Sequence, residues 1–282
     1  MQEAAQQRVL SWGLAQLRDL PWRHTRDPWA VLVSEVMLQQ TQVERVISRW
    51  FAFLDAFPTP AACADASLGD VLRLWQGLGY PRRARNLHAA ATMITELGEF
   101  PSTLPALLAL PGVGNYTGRA LRAFAFELDA AVVDTNIARV FARVAGRRLT
   151  AKEVQAAADA SLPGEQAWAW NQCLMDLGAM LCRPLNPRCG ECPLAGDCAY
   201  GGVGDDPAIG SAGVSGKQSR FDGSDRQGRG RLMKSLGTGP VSVADVATSM
   251  GWPDQSDRAD RIAATLVTDR LAVFDGTTYR LP

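Results

Sequence analysis

Four of the six cysteines, Cys182, Cys189, Cys192 and Cys198, fall in one C-x6-C-x2-C-x5-C run of 17 residues. Four thiols in so short a loop must either cross-link or converge on a metal. The first residues, MQEAAQQRVLSWGLAQLRDLPWR, lack the uninterrupted apolar core of a secretory signal. The run therefore reads as thiolate ligation in a reducing cytoplasm rather than as disulfides. Tetrahedral zinc and an iron–sulfur cluster both suit four thiolates, and spacing does not choose between them. Pro184, Pro187, Pro193 and Gly190 supply tight turns to wrap the thiolates, with Arg183 and Arg188 directing charge outward. Cys63 and Cys173 stand apart in apolar helical surroundings.

Around this loop, residues 1–200 read as short amphipathic helices broken by Pro and Gly, with no sustained period-2 alternation. Pro28 opens a helix that continues through Glu35 toward Phe53 with a break, ended by Pro58 and Pro60. Ser67 and Asp70 have capping-box spacing before Val71, Leu72, Leu74 and Trp75, and another helix runs from Arg82 to about Leu97. Residues 201–220 hold six Gly, three Ser and five hydrophobic residues, a composition expected of a flexible linker. Beyond it, residues 221–282 read as helix, short strand, two helices and a hairpin turning at Asp275-Gly276, a small winged-helix-like module. It serves either as a packing appendage or as a DNA contact. No apolar run approaches the roughly 20 residues of a membrane span.

The 29 basic and 29 acidic residues balance, which disfavours a broadly electropositive surface. Yet 26 of the 29 basic residues are Arg, in clusters at Arg82/Arg83/Arg85, Arg119/Arg122 and Arg139/Arg143/Arg147/Arg148. These suit bidentate phosphate contacts or simply reflect an Arg-rich codon usage. No Lys precedes Lys152. In LPALLALPGVGNYTGRAL, Pro111-Gly112-Val113-Gly114 lies between two apolar-periodic stretches, so two helices should meet at a tight turn with Gly at both special positions. Amides at the second helix's N-terminus would form a phosphate site.

This hairpin, with Val133-Asp134 and the Cys run after it, resembles the helix-hairpin-helix and Asp signature of base-excision DNA glycosylases of the endonuclease III type, over about residues 8–200. The strings LPWRHTRDPWAVLVSEVMLQQTQVERV, LWQGLGYPRRARNLH and NQCLMDLGAMLC are similar to the A/G-specific adenine DNA glycosylases. The C-terminal module resembles the short tail of their actinobacterial members. The resemblance implies a mainly α, two-lobed glycosylase domain over residues 1–200 with a 4Fe–4S cluster on Cys182, Cys189, Cys192 and Cys198. It also implies a cytoplasmic, nucleoid-associated monomer acting on double-stranded DNA at adenine opposite 8-oxoguanine or guanine. A mismatch thymine/uracil glycosylase and a non-catalytic iron–sulfur damage-binding protein are the alternatives.

Glu35 has Val31, Leu32 and Leu38 at helical spacing, so burial would favour its neutral acid form, unless it faces solvent. The family implies that it protonates N7 of adenine. Asp134, an N-cap candidate before Ile137, would stabilise the oxocarbenium-like sugar, with Asn136 orienting it or the incoming water. Tyr116 stands where bifunctional relatives carry a Schiff-base Lys, which implies simple hydrolysis. Gln40 and Thr41 would touch the base, Leu78 and Tyr80 would wedge into the duplex, and Gly112 and Gly114 would approach phosphate. Trp22, Arg23 and Asp176 would surround the flipped adenine. Pro81 follows Tyr80 where a second Tyr is frequent, and about 62 residues follow the linker in place of a large C-terminal domain.

Overall fold

The computed structural model describes residues 1–214 and 220–282 and divides the chain into two compact units. The first comprises Met1–Val31, Ser102–Leu108 and Val113–Lys217; the second comprises Leu32–Pro101, Ala109–Gly112 and Gln218–Pro282. Helix α2 (Pro28–Leu38) crosses the division along the chain. No helix among the described residues is long and apolar enough to cross a membrane.

The first unit contains α1 (Glu3–Gln16), α8 (Asn115–Phe124), α9 (Thr135–Ala145), α10 (Ala151–Ala160), α11 (Ala167–Met180) and most of α7 (Leu104–Ala109). Its core forms where the apolar stripes of α1, α9 and α11 meet, with Val9, Ile137, Phe141, Trp170, Leu174 and Leu177 all buried. Gly13 of α1 permits this approach: a Cβ there would stand 2.3 Å from Cys173 Sγ on α11. α10 begins with a complete capping box, in which Thr150 and Glu153 each bond the other's backbone amide.

The second unit contains α3 (Val43–Ala56), α4 (Pro60–Asp65), α5 (Leu68–Leu74), α6 (Arg82–Leu97), α12 (Asp225–Thr238), α13 (Val246–Met250) and α14 (Ser256–Thr268). The break expected after α2 occupies residues 39–42, and Gln40 there has φ 57°. Ser67 caps α5 by accepting from the Asp70 amide. Phe53, Phe57 and Trp75 pack edge to face, with Phe53 centroids 5.1 and 6.1 Å from the other two. Strands β1 (Val241–Ser242), β2 (Val273–Phe274) and β3 (Thr278–Arg280) form an antiparallel sheet ordered β1-β3-β2. With α12–α14 the element order is helix, strand, helix, helix, hairpin, the order expected from the sequence.

The C-terminal module is joined to the 32–101 segment by specific contacts. Asp269 accepts from Arg82 on α6 and from Arg229 on α12, while its carbonyl accepts from Arg85. Gln76 donates to the Met233 carbonyl at 2.8 Å, and the Gly69 amide to that of Pro282 at 3.1 Å. Burial pushes the Asp269 carboxyl up, but Arg82 and Arg229 outweigh it and hold the group below the usual range.

The 201–220 segment departs from its composition. Asp206 pairs with Arg143, Ser211 accepts from the Leu149 amide, the Ala212 amide donates to the Leu149 carbonyl, and Ala208 is 2% exposed. Residues 201–214 are thus bound onto the first unit, because a few well-placed polar groups anchor a segment that lacks apolar mass. Residues 215–219 of the expected linker lie outside the described residues.

Candidate active site and cluster loop

Glu35 lies on α2 among Val31, Leu32, Val33, Val36 and Met37, all buried, and is itself only 5% exposed. The end of this helix is held by Arg83. Its Nη1 donates to the carbonyls of Val36, Met37 and Gln39 at 2.7, 2.9 and 2.6 Å. Its Nη2 donates to Thr41 Oγ1 and to the Leu78 and Gly79 carbonyls at 3.1, 2.9 and 3.0 Å. One guanidinium therefore ties the acid helix to the 77–80 loop, and burial lowers its pKa to about 10.

That knot reassigns two expected base and duplex contacts. The Thr41 hydroxyl accepts from Arg83 and donates to the Leu78 carbonyl at 3.2 Å, so it is engaged within the protein. Leu78 is 3% exposed, a core side chain and not a protruding wedge. Tyr80, by contrast, is 38% exposed at φ 47°, with its ring 5.6 Å from the Arg83 guanidinium. Gln40 is exposed on its left-handed backbone.

In the first unit, Asp134 caps α9: its Oδ1 accepts from the Ile137 amide at 2.7 Å and its Oδ2 from Asn136 Nδ2 at 2.8 Å. Asn136 Oδ1 in turn accepts from Arg139 Nη2 at 2.8 Å. Arg139 also donates to the Gly178 and Cys182 carbonyls at 2.7 and 2.6 Å. Loss of solvent pushes the Asp134 carboxyl up; the bonds from Ile137 and Asn136 and the positive charge of Arg139 oppose this without cancelling it. Gly178 of α11 admits this arrangement, because a Cβ there would lie 2.6 Å from Asn136 Cβ.

Tyr116 is half-buried on the first turn of α8. The two turn glycines before it differ, correcting the expectation that both need special backbone. Gly112 has φ 79°, and a Cβ would stand 2.7 Å from Asn86 Cβ. Gly114, the N-cap of α8, has an extended backbone any residue adopts, and a Cβ there would meet nothing within 4 Å.

Trp22, Arg23 and Asp176 do not line an open pocket. Asp176 is fully buried, with four hydrogen bonds of 2.7–2.9 Å to side chains and one backbone amide: Arg18 N and Nε, Arg23 Nη1 and Nη2. Burial pushes this carboxyl up, but the two arginines overcome it and hold it below the usual range. Trp22 and Arg23 are 8% and 6% exposed. Every lone-pair direction needed to read a base is already occupied by Arg.

The Arg clusters largely serve the fold rather than phosphate. Arg83, Arg139 and Arg143 bond backbone carbonyls inside the protein, Arg119 pairs with Asp159, and Arg147 with Glu153. The sequence signal for an internal role was Arg at helical spacing with buried apolar neighbours, as at Arg139 and Arg143 on α9.

Cys182, Cys189, Cys192 and Cys198, none in a disulfide, line one cavity of about 220 Å³. Four thiols around one hollow are a donor set that an iron–sulfur cluster takes. The donor set and the cavity fit a cluster. Arg143 Nη1 donates to Cys182 Sγ at 3.3 Å and to the Arg183 carbonyl at 2.8 Å, and its other edge is held by Asp206. Cys63 and Cys173 are fully buried elsewhere, their thiols pushed up by burial to about 12 and 11.

Residues 33–163 match the family described as HhH-GPD superfamily base excision DNA repair protein, and residues 182–198 match the iron-sulfur binding domain of endonuclease III. The chain is 41% identical over 272 residues to the adenine DNA glycosylase of Mycobacterium tuberculosis, covering 93% of this chain and 88% of that one. Among solved structures, a thermostable thymine-DNA glycosylase superposes with TM-score 0.67 at 30% identity, covering 70% of this chain and 94% of that one. A non-covalent endonuclease III–DNA complex gives TM-score 0.62 at 25% identity, with 72% and 98% covered.

Proposed function

Because the chain belongs to the adenine DNA glycosylase family of base-excision repair proteins, we propose that it hydrolyses the N-glycosidic bond of adenine opposite 8-oxoguanine or guanine, as a monofunctional enzyme. The observation that carries this reading is the pair of carboxyl groups in unlike settings: Glu35 on an apolar helix, Asp134 held by neutral donors at a helix N-terminus.

In this reading Glu35 donates its proton to N7 of the adenine, so that the base departs neutral as electrons of the C1′–N9 bond move onto the ring. Asp134, ionised, stabilises the positive charge that develops on the sugar. Asn136 fixes the orientation of Asp134, and Arg139 fixes Asn136. A water then adds at C1′ and passes its proton to the Glu35 carboxylate left by the first step, leaving an abasic site and restoring the acid. Tyr116 stands in place of an amine nucleophile, and no Lys lies in residues 1–151, which supports hydrolysis without a Schiff base. Tyr80 is the side chain available to enter the duplex, Gln40 to approach the base, and the open face at Gly114 to admit phosphate.

Cys182, Cys189, Cys192 and Cys198 would hold the 4Fe–4S cluster, whose ligation would staple the 182–198 loop. Arg139 and Arg143 grip the backbone of that loop from α9, the helix that Asp134 caps.

The test is single-turnover base release from duplexes carrying A opposite 8-oxoguanine, A opposite guanine, and T opposite guanine, each with and without borohydride. Free adenine from the first two, with no trapped adduct, is expected. Release of thymine alone would transfer the protein to the thymine branch that its structural neighbour represents, and an adduct would refute monofunctional chemistry.

A further inference from the structure

Beyond the base-excision centre, we propose that the C-terminal module makes a second DNA contact: a cationic cleft formed by α12 with the 77–82 loop takes a segment of phosphodiester backbone and one stacked base of the substrate DNA. This rests on the reading of the protein as a DNA glycosylase. The cleft has a volume of about 790 Å³ and lies wholly within the second unit. That volume falls in the range of pockets holding ligands of nucleotide size, about 300–1,000 Å³.

Its charge is one-signed. Arg45, Arg82, Arg226, Arg229 and Lys234 line it, and no Asp or Glu does. Asp269, just outside, neutralises part of Arg82 and Arg229 and holds them in place. Arg45 and Lys234 enter no ion pair among the described residues, so a net positive charge faces the opening. A cleft lined by one sign of charge focuses its field and attracts an anionic occupant. Two exposed aromatics, Tyr80 and Phe221, flank the cations, at 38% and 52% exposure. Cations that track a backbone with aromatic faces beside them are the combination that holds unpaired nucleotides.

The module's own architecture would direct attention elsewhere. In helix-turn-helix proteins the second helix of the pair enters the major groove, which here is α14. That helix carries Asp257 and Asp260 beside Arg258 and Arg261, and Arg258 is taken up by Trp252 at 3.9 Å and by Asp225. α12 has Arg226, Arg229, Arg231 and Lys234 against Asp225 alone. The basic face therefore belongs to the first helix, turned toward the loop that presents Tyr80.

The experiment measures affinity of the full-length holoprotein for a 25-base-pair duplex with a central A:8-oxoguanine pair, as a function of salt. Variants are the double substitution Arg226→Gln/Lys234→Gln, the single Phe221→Ala, and Arg261→Gln on α14 as control, each checked for wild-type thermal unfolding. Each phosphate contact contributes about 0.9 to the slope of log affinity against log salt. The double variant should lower the slope by about 1–2 and weaken binding about tenfold at low salt. Phe221→Ala should weaken it about fivefold without changing the slope, and Arg261→Gln should change neither. An unchanged slope in the double variant, or an equal drop in Arg261→Gln, overturns the cleft; unchanged affinity in Phe221→Ala overturns the stacked base. If wild type binds with the expected slopes but releases no base, the catalytic reading fails while the cleft stands.

Discussion

Asp134 and Asp176 lie in the same unit, the first partly exposed and the second fully buried, and their surroundings push them in opposite directions. Asp176 faces two guanidinium groups directly and is held ionised below the usual carboxylate range. Asp134 meets an amide N–H and an Asn side chain, with the nearest cation one step removed through Asn136, and its pKa is raised. A carboxylate fully matched by Arg is a structural joint, since its charge is already neutralised. One held by neutral donors keeps charge that a developing cation can use.

Substitutions can break this comparison. The largest effect is expected for Glu35→Gln: with the proton donor removed, single-turnover adenine release should fall by roughly 10²–10⁴-fold while DNA affinity is retained. Asp134→Asn should lower the rate by about 10²–10³-fold and yet leave thermal stability intact, because Asn preserves the N-cap. Asp176→Asn should do the reverse. Leaving Arg23 buried without its partner should cost about 3–5 kcal/mol in urea unfolding, and loss of rate without loss of stability would return Asp176 to the base pocket.

A smaller effect separates the two acids by pH. A raised native pKa means that the folded state holds a proton the unfolded chain releases. The Asp134 contribution is therefore fully present below about pH 3.9 and declines as pH rises through the native value. Relative to wild type, Asp134→Asn should gain stability as pH rises through that window. Asp176, with its pKa lowered, contributes stability above about pH 3.9 that is lost as pH falls through its native value, so Asp176→Asn should approach wild type only in acid. Unfolding midpoints between pH 3 and 7 check both signs, and parallel curves for the two variants would erase the contrast.

Much of this was written in local sequence. Proline and glycine punctuation, the Ser67 cap and the Asp275-Gly276 turn act within a few residues, so α2, α5, α6 and the hairpin could be placed without knowing what packs where. The four cysteines announced a metal site for the same reason, and the apolar neighbours of Glu35 marked its helix. Partnership across the chain was not legible. Asp176 finds Arg23 from 153 positions away, Asp206 binds Arg143 across 63, and Arg83 reaches back 47 residues to Val36. Composition made residues 201–214 look free, and left the Arg runs open between phosphate contacts and codon usage, because an isolated Arg or Gly-rich segment carries no record of its distant partner. Sequence determined the elements, the family and the thiolate ligand set, all properties of short-range pattern. Tertiary structure alone decided which charges were consumed in the fold and which remained for chemistry, because desolvation and pairing depend on neighbours that only folding brings together.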